Sequence, residues 1–284
     1  MSFACLVFAA ALPVFNFATN SVAERLADPN IGKSVWRFSE YPPSRGRLGF
    51  PRCLFQDRFP ANEHFWLKGV DFSCVSPWNE KFKNLRAGTL ISPRHVVFAA
   101  HFAPGKGRID FVAPDGDRCT REIGEARTVP GTDIQIAVLS SDVSSDIRPA
   151  KILPENYADY IGDGGGLPVV TFNQDEEALL TELSPIWVDE TVKCISSRPS
   201  RDRARERFRK PIVSGDSGNP VFLLVGDQPI LLCCLKTGGY GAGPSLCHYR
   251  KEVQETMDKL CPGYTLETFD FGALAATLRK SSDF

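Results

Sequence analysis

The residues best able to do chemistry surround one serine, in the segment Ser214-Gly215-Asp216-Ser217-Gly218-Asn219-Pro220. Glycine at positions 215 and 218 permits turn conformations closed to other residues and lets a second backbone approach closely. The hydroxyl of Ser217 and nearby N–H groups can therefore face one cavity. Nucleophilic attack on a carbonyl and stabilisation of the resulting oxyanion need that arrangement. An ordinary glycine-rich turn between two strands is the alternative interpretation.

A serine hydroxyl needs a base within hydrogen-bond reach, and histidine is the usual base because its pKa lies near neutral pH. The chain has four histidines. His101 is the best candidate, because it follows a strand-like segment whose last residues, Ala99-Ala100, leave room for close packing. His64, His95 and His248 are more simply explained as surface or core histidines.

The base must in turn be oriented, normally by a buried carboxylate. Asp133 follows Gly131-Thr132 and opens the apolar segment Ile134-Gln135-Ile136-Ala137-Val138-Leu139. A carboxylate at the mouth of a buried strand is unfavourable unless it has a partner. Asp133 is therefore the candidate for this role, and capping of a local turn is its alternative role.

Three segments resemble the signature blocks of the chymotrypsin/trypsin-like serine peptidases. They are Ala99-Ala100-His101, Asp133–Leu139 and Gly215–Pro220, and they follow that family's chain order of His, Asp and Ser. The resemblance covers residues 65–262. It implies an all-β fold of two antiparallel six-stranded β-barrels, with the active site in the cleft between them and a C-terminal helix packed behind.

The resemblance also implies a role for each residue. Ser217 would attack the scissile carbonyl, and His101 would act as general base and then as general acid. Asp133 would orient the imidazole and stabilise its charged form. The backbone N–H groups of Gly215 and Ser217 would form the oxyanion hole. No cofactor and no metal are expected, since no cysteine or histidine pairs have the spacing typical of zinc sites.

The resemblance places the base of the primary specificity pocket six residues before the serine, at Pro211. Because Pro211 is not acidic, an apolar or small substrate side chain is favoured over Lys or Arg. A shift of one or two positions would bring a basic residue there instead. Thr237, Gly238 and Gly239 resemble the strand of that family that lines the pocket mouth and pairs with the substrate backbone. A hairpin turn without a role in binding is the alternative for these three residues.

In many members of that family a newly cut N-terminus pairs with the aspartate before the serine, which here is Asp216. No Ile-Val-Gly-Gly segment lies upstream of His101, so we expect Asp216 to pair with an internal cation. One of the arginines between Arg198 and Arg209 is a candidate. This basic segment can otherwise be a solvated surface loop, or it can favour acidic substrates.

The elements that must position these residues are short β-rich segments separated by Gly, Pro, Asp and Asn, a pattern typical of an all-β sandwich or barrel. A first barrel is predicted over residues 61–145, a linker over 146–166, and a second barrel with the C-terminal helix over 167–262. Residues 24–60 are predicted to be an extension or pro-segment, and residues 263–284 a tail.

The N-terminus predicts export, to a secreted or extracytoplasmic location. Residues 3–15 are apolar except for Pro13, which is the length of a signal-peptide core, so residues 1–23 are a predicted signal peptide. A buried first strand or helix is the alternative. Of the nine cysteines only Cys5 lies in this segment, and an even number outside it agrees with export and disulfides. Buried free thiols are the other explanation.

The net charge of −1 argues against nucleic acid as the main partner, and no stretch is long enough to insert stably in a membrane as a helix. The sequence therefore predicts an exported serine endopeptidase that acts on proteins or peptides. A binding module that keeps this fold without turnover, and an esterase that uses the same three residues, are the alternatives.

Overall fold

A computed structural model of the chain describes residues 3–32, 34–39, 58–76, 87–173, 176–188 and 193–282. Most of the regular structure is β, in two separate sheets, and this confirms the mostly-β prediction. Four α-helices accompany the sheets in the described residues: α1 (Phe3–Ala27), α2 (Ala158–Ile161), α3 (Arg250–Leu260) and α4 (Phe271–Ser282).

The first sheet nearly closes into a barrel of six strands. Its order is β1-β2-β3-β6-β5-β4, and the two outer strands, β1 and β4, lie against each other. The strands place alternate or successive apolar side chains in the core, as in β3, which is buried along its whole length. The strands are β1 (Val75–Ser76), β2 (Gly88–Leu90), β3 (His95–Ala99), β4 (Gly107–Val112), β5 (Arg118–Thr128) and β6 (Ile134–Leu139).

The second sheet is a half-barrel of seven strands in the order β13-β10-β9-β8-β11-β12-β7. The prediction of six strands here is corrected to seven, because β7 adds a short parallel strand to β12. The strands are β7 (Lys151–Ile152), β8 (Pro168–Phe172), β9 (Ala178–Leu183), β10 (Cys194–Arg198), β11 (Pro220–Val225), β12 (Gln228–Cys234) and β13 (Ala242–Pro244).

The two sheets share one apolar core. Phe72, just before β1, packs against Phe172 of β8 and Phe222 of β11, with ring centroids 5.0 and 5.6 Å apart. Each of these rings is nearly or fully buried, and burial of one such side chain contributes about 1.5–3 kcal/mol. This shared core fixes the position of the first sheet relative to the second.

An ion pair adds to this junction. Arg37 and Glu176 are both buried and lie 2.8 Å apart, with Glu176 in the turn between β8 and β9. The guanidinium also donates to the carbonyl of Phe72 at 2.9 Å, so it connects the two sheets. Burial raises the pKa of Glu176 to about 7, although Arg37 opposes the rise. The predicted extension over residues 24–60 therefore contributes a structural contact between the sheets.

The predicted linker and the predicted tail both contain regular structure and contribute side chains to the core. Residues 146–166, predicted to be a linker, contain β7 and α2 and place Ile152 and Leu153 in the core. Residues 263–284, predicted to be a tail, contain α4, whose Phe271 and Ala275 are buried. A parallel bridge between Ile152 and Thr268 joins the two regions. The local sequences did not show this because their partners lie far along the chain.

Helix α1 packs against the second sheet. Val14 and Ala18 are fully buried, and the Phe17 ring lies against Gly226 in the turn between β11 and β12. The buried first helix, which the sequence left as the alternative to a signal peptide, therefore describes residues 13–27. Whether the chain is exported stays a prediction. None of the helices in the described part of the chain is long and apolar enough to cross a membrane.

The variant Ala18→Asp tests whether this helix belongs to the working fold. It would place a charge without a partner in the core, and we expect unfolding to require on the order of 3 kcal/mol less free energy. Asn20→Asp puts the same group on the exposed side of α1 and is expected to change little. Denaturant unfolding of the three proteins measures the difference. Equal stabilities would show that the helix is absent from the mature protein.

The sequence analysis predicted disulfides from the even number of cysteines outside the predicted signal peptide. Seven of the nine cysteines form no disulfide in the structure. Cys74, Cys119, Cys194, Cys233, Cys234, Cys247 and Cys261 are all free thiols. Burial raises the pKa values of Cys74, Cys234 and Cys247 to about 12, which keeps these thiols protonated. Packing of the two sheets, rather than covalent links among these seven cysteines, therefore stabilises the described fold.

Candidate active site

Pairing of two strands in the first sheet brings His101 and Asp133 together. The antiparallel register of β3 and β6 sets Ala99 opposite Ile134. The residues just outside this pair, at the end of one strand and the start of the other, must then be neighbours. The amide of Ala100 accordingly donates to the carbonyl of Asp133 at 2.8 Å. His101 follows in a short 3₁₀ turn, Ala100–Phe102.

Both oxygens of the Asp133 carboxylate bind His101. Oδ2 lies 2.7 Å from the ring Nδ1, and Oδ1 accepts from the backbone N–H at 2.9 Å. Because a carboxylate only accepts hydrogen bonds, Nδ1 carries a proton, and in the neutral imidazole the lone pair is then on Nε2. The Asp133 side chain is 9% exposed and the His101 side chain 42% exposed, so the ring has access to solvent. The pair thus presents a basic nitrogen at the surface.

The turn before Asp133 is held by a different residue. The hydroxyl of Thr132 donates to the carbonyl of Val129 at 2.9 Å and accepts from the amide of Ile134 at 3.0 Å. Gly131 supplies the positive φ of +73° that this turn requires. Thr132 therefore makes the turn-capping contacts that the sequence left open for Asp133, and the Asp133 carboxylate binds His101.

The other three histidines lack such a partner. His64 is exposed, His95 is buried with Nδ1 2.8 Å from the Ser92 hydroxyl, and Nδ1 of His248 lies 2.7 Å from the Ser245 hydroxyl. Burial lowers the pKa values of His95 and His248, which favours their neutral forms. Among the four histidines, and within the described residues, only His101 hydrogen-bonds to a carboxylate.

The serine lies on a tight loop that leads into β11. Gly215 and Gly218 have φ values of +103° and +88°, which other residues rarely adopt. Two hydrogen bonds fix the loop to the end of β12: the Gly218 amide donates to Leu235 O at 2.8 Å, and the Leu235 amide donates to Asn219 O at 2.9 Å. This role of Leu235 could not be predicted from the sequence, because its apolar side chain resembles that of any core residue.

This loop packs against the end of β3, two residues before His101. A Cβ added at Gly218 would lie 3.3 Å from Ala87 O and 4.0 Å from both Ala99 N and Ala99 Cβ. Ala99 is two residues before His101, so the loop of Ser217 and the imidazole belong to one region. In the described residues no hydrogen bond joins Ser217 to His101. Such bonds often tighten only when substrate is bound.

Asp216 braces the same loop from inside. It is 1% exposed, and its Oδ2 accepts from the Val213 amide at 2.8 Å. The carbonyl of Asp216 accepts from the Asn219 side chain at 3.0 Å. Two of the arginines that the sequence offered as partners, and the neighbouring Lys210, pair with other acids. Arg198 and Arg205 pair with Glu182, and Lys210 pairs with Glu177.

The loop also presents a donor near the serine. Within the described part of the chain, no hydrogen bond uses the amide of Ser217. The Ser217 side chain is partly exposed in the same place. An oxyanion formed next to the hydroxyl can therefore accept a hydrogen bond from this N–H. The family resemblance implies an oxyanion hole made of this N–H group and that of Gly215.

The predicted substrate-binding residues lie beside the serine loop. Pro211 is exposed, whereas Ile212 is 6% exposed and its amide donates to Gly239 O at 2.9 Å. Ile212 O is also 3.4 Å from a Cβ added at Gly238, so the residue after Pro211 is in contact with the glycines. The role of Pro211 in the specificity pocket stays a prediction. Thr237 pairs with Ala242 in a hairpin. All three residues, Thr237, Gly238 and Gly239, are exposed, and they lie in the turn of this hairpin and not in a named strand. Their role in substrate binding stays a prediction.

Sequence comparisons identify no relative that could help to assign this site. In the described residues no group of three or more His, Cys, Asp or Glu side chains could hold a metal ion. No protein-family model matches the chain, and no curated protein sequence is significantly similar to it.

Proposed function

We propose that this protein is a serine endopeptidase with a trypsin-like arrangement of two β-barrels. The observation that carries the proposal is the His101–Asp133 pair, in which both carboxylate oxygens are bonded to one histidine. The packing of the Ser217 loop against Ala99, beside that histidine, supports the same assignment. A buried aspartate, an accessible imidazole and a serine on a glycine loop are the groups that acyl transfer needs.

In the proposed reaction Ser217 Oγ attacks the scissile carbonyl carbon, and its proton passes to His101 Nε2. Asp133 stabilises the imidazolium that forms and holds the ring in the required tautomer. The amides of Gly215 and Ser217 stabilise the oxyanion. His101 then protonates the leaving amine, which departs and leaves the acyl group on Ser217. In the second half His101 takes a proton from a water molecule that attacks the acyl carbon, and it then returns the proton to Ser217 Oγ as the carboxylic acid product leaves.

A fluorophosphonate probe, which forms a covalent bond only with an activated serine, tests this proposal. We expect the full chain to be labelled and Ser217→Ala to be unlabelled. Ser214→Ala removes a neighbouring exposed hydroxyl from the same loop and is the matched control, which should be labelled like the parent. Mass spectrometry of the labelled peptide identifies the residue modified.

Two results would contradict the proposal. Absence of labelling in the folded parent would favour a binding module without turnover. Labelling that persists in Ser217→Ala would assign the nucleophile to another residue. Hydrolysis of casein as well as of short-chain esters then separates a peptidase from an esterase, because a peptide bond has an amine leaving group, which is harder to expel than the alcohol of an ester.

A further inference from the structure

Four exposed arginines form a basic surface ahead of the serine loop. They belong to residues 198–210, a segment with seven cations and two acids in a chain whose net charge is −1. Within the described residues, no ion pair uses any of the four. We refer to them as the arginine platform: Arg201, Arg203, Arg207 and Arg209.

The platform is held in a defined position by buried residues between its members. Phe208 is fully buried and its ring centroid is 4.6 Å from that of Trp66. Arg205 is 5% exposed and lies 3.4 Å from Glu182. Asp202 caps the 3₁₀ helix Arg203–Phe208 by accepting from the Ala204 amide at 2.9 Å. The segment is therefore not the loose solvated loop that its charge suggested.

This position is next to the proposed substrate cleft. Arg209 is three residues before Ile212, so its Cα lies within about 10 Å of that of Ile212. Ile212 in turn pairs with Gly239 at the edge of the glycine hairpin. An exposed lysine, Lys236, follows Leu235, whose backbone holds the serine loop. Positive charge thus borders both chain segments that lead to the cleft.

We propose that the arginine platform binds carboxylate side chains of polypeptide substrates, so that the enzyme prefers cleavage sites flanked by Asp or Glu. This inference rests on the proposed function. Guanidinium groups match carboxylates through paired hydrogen bonds, and a charged cleft raises the local concentration of the opposite charge. A nucleic acid is a poorer fit, since the chain outside residues 198–210 is net negative and would repel a longer polyanion.

Binding is measured first, without turnover, on the full chain carrying Ser217→Ala. Fluorescence anisotropy is recorded with labelled octaglutamate and octaglutamine peptides. We expect octaglutamate to bind at least about tenfold more tightly, with a preference that falls as salt is raised, because the contacts are exposed to solvent. Adding Arg207→Gln and Arg209→Gln should weaken octaglutamate binding about fivefold or more. Arg201→Gln with Arg203→Gln is a second, independent pair.

The matched control is Lys251→Gln, which removes an exposed cation from α3, far from residues 198–210 in the sequence. It should bind octaglutamate like the parent. Equal binding of the two peptides, or undiminished binding in both arginine pairs, would overturn the inference. So would displacement of octaglutamate by an equal concentration of oligo(dT), which would make the platform a nucleic-acid site.

Turnover then connects the platform to catalysis. With Ser217 intact, kcat/KM is compared for peptides that differ only in Glu or Gln near the scissile bond. We expect the Glu peptide to be preferred, and the preference to disappear in the arginine variants while fluorophosphonate labelling is unchanged. Labelling with no Glu preference would overturn the inference and leave the peptidase standing. Octaglutamate binding with no labelling would instead overturn the peptidase proposal and leave only the binding of carboxylates by the platform.

Discussion

Replacing His101 with alanine is expected to lower kcat by about a millionfold, the loss typical when a triad histidine is removed. This corresponds to about 8 kcal/mol of activation free energy. The reason is that Ser217 then has no base to accept its proton and the leaving amine has no acid to donate one. Substrate binding should change little, since the His101 side chain is 42% exposed and makes its side-chain contact with Asp133.

The measurement is the rate of hydrolysis of a chromogenic ester or of casein, with folding verified by thermal unfolding. His64→Ala is the matched control, because His64 is exposed and no carboxylate within the described residues hydrogen-bonds to it. It should keep the activity of the parent. A His101→Ala protein that retains more than about one hundredth of the parent kcat would remove His101 from the mechanism, because a general base contributes at least that factor.

Much of the candidate site could be predicted because its signals are local. Two alanines before His101 predicted close packing, and the serine loop does lie against Ala99. An aspartate at the mouth of an apolar strand predicted a partner for its carboxylate, and that partner is His101. In both cases a single residue type is difficult to explain unless a specific neighbour is present. Strand-forming segments between turn residues likewise predicted the mostly-β fold.

Features that depend on distant partners could not be predicted. Arg205, in the 3₁₀ helix, is buried because Glu182 of β9 compensates its charge, whereas the sequence shows only one more arginine in a basic run. Ile212 contacts the glycine hairpin through one bridge to Gly239, a partner that its own apolar side chain does not indicate. The short apolar run in α1 has the length both of a signal-peptide core and of a buried helix, and only packing distinguishes the two.

The variant Asp133→Asn is expected to lower kcat by about ten-thousandfold, as in serine peptidases where the triad acid is neutralised. Asparagine has the same shape, and its oxygen can still accept from the backbone N–H of His101. Its NH2 group, however, would face Nδ1 with a donor. The ring would then place its proton on Nε2, where a lone pair is needed to receive the proton of Ser217.

This argument makes a stronger prediction about the combined variant. If Asp133 acts only through His101, then adding Asp133→Asn to His101→Ala should cost no further activity, since the group it orients is already gone. Two independent contributions would instead multiply, to a total loss of about 10¹⁰-fold. The parallel change Asp115→Asn, in the exposed turn between β4 and β5, should leave kcat unchanged in either background. A further loss in the double variant would show that Asp133 contributes by another route, such as the hydrogen bond that its charged carboxylate accepts from the backbone N–H of residue 101.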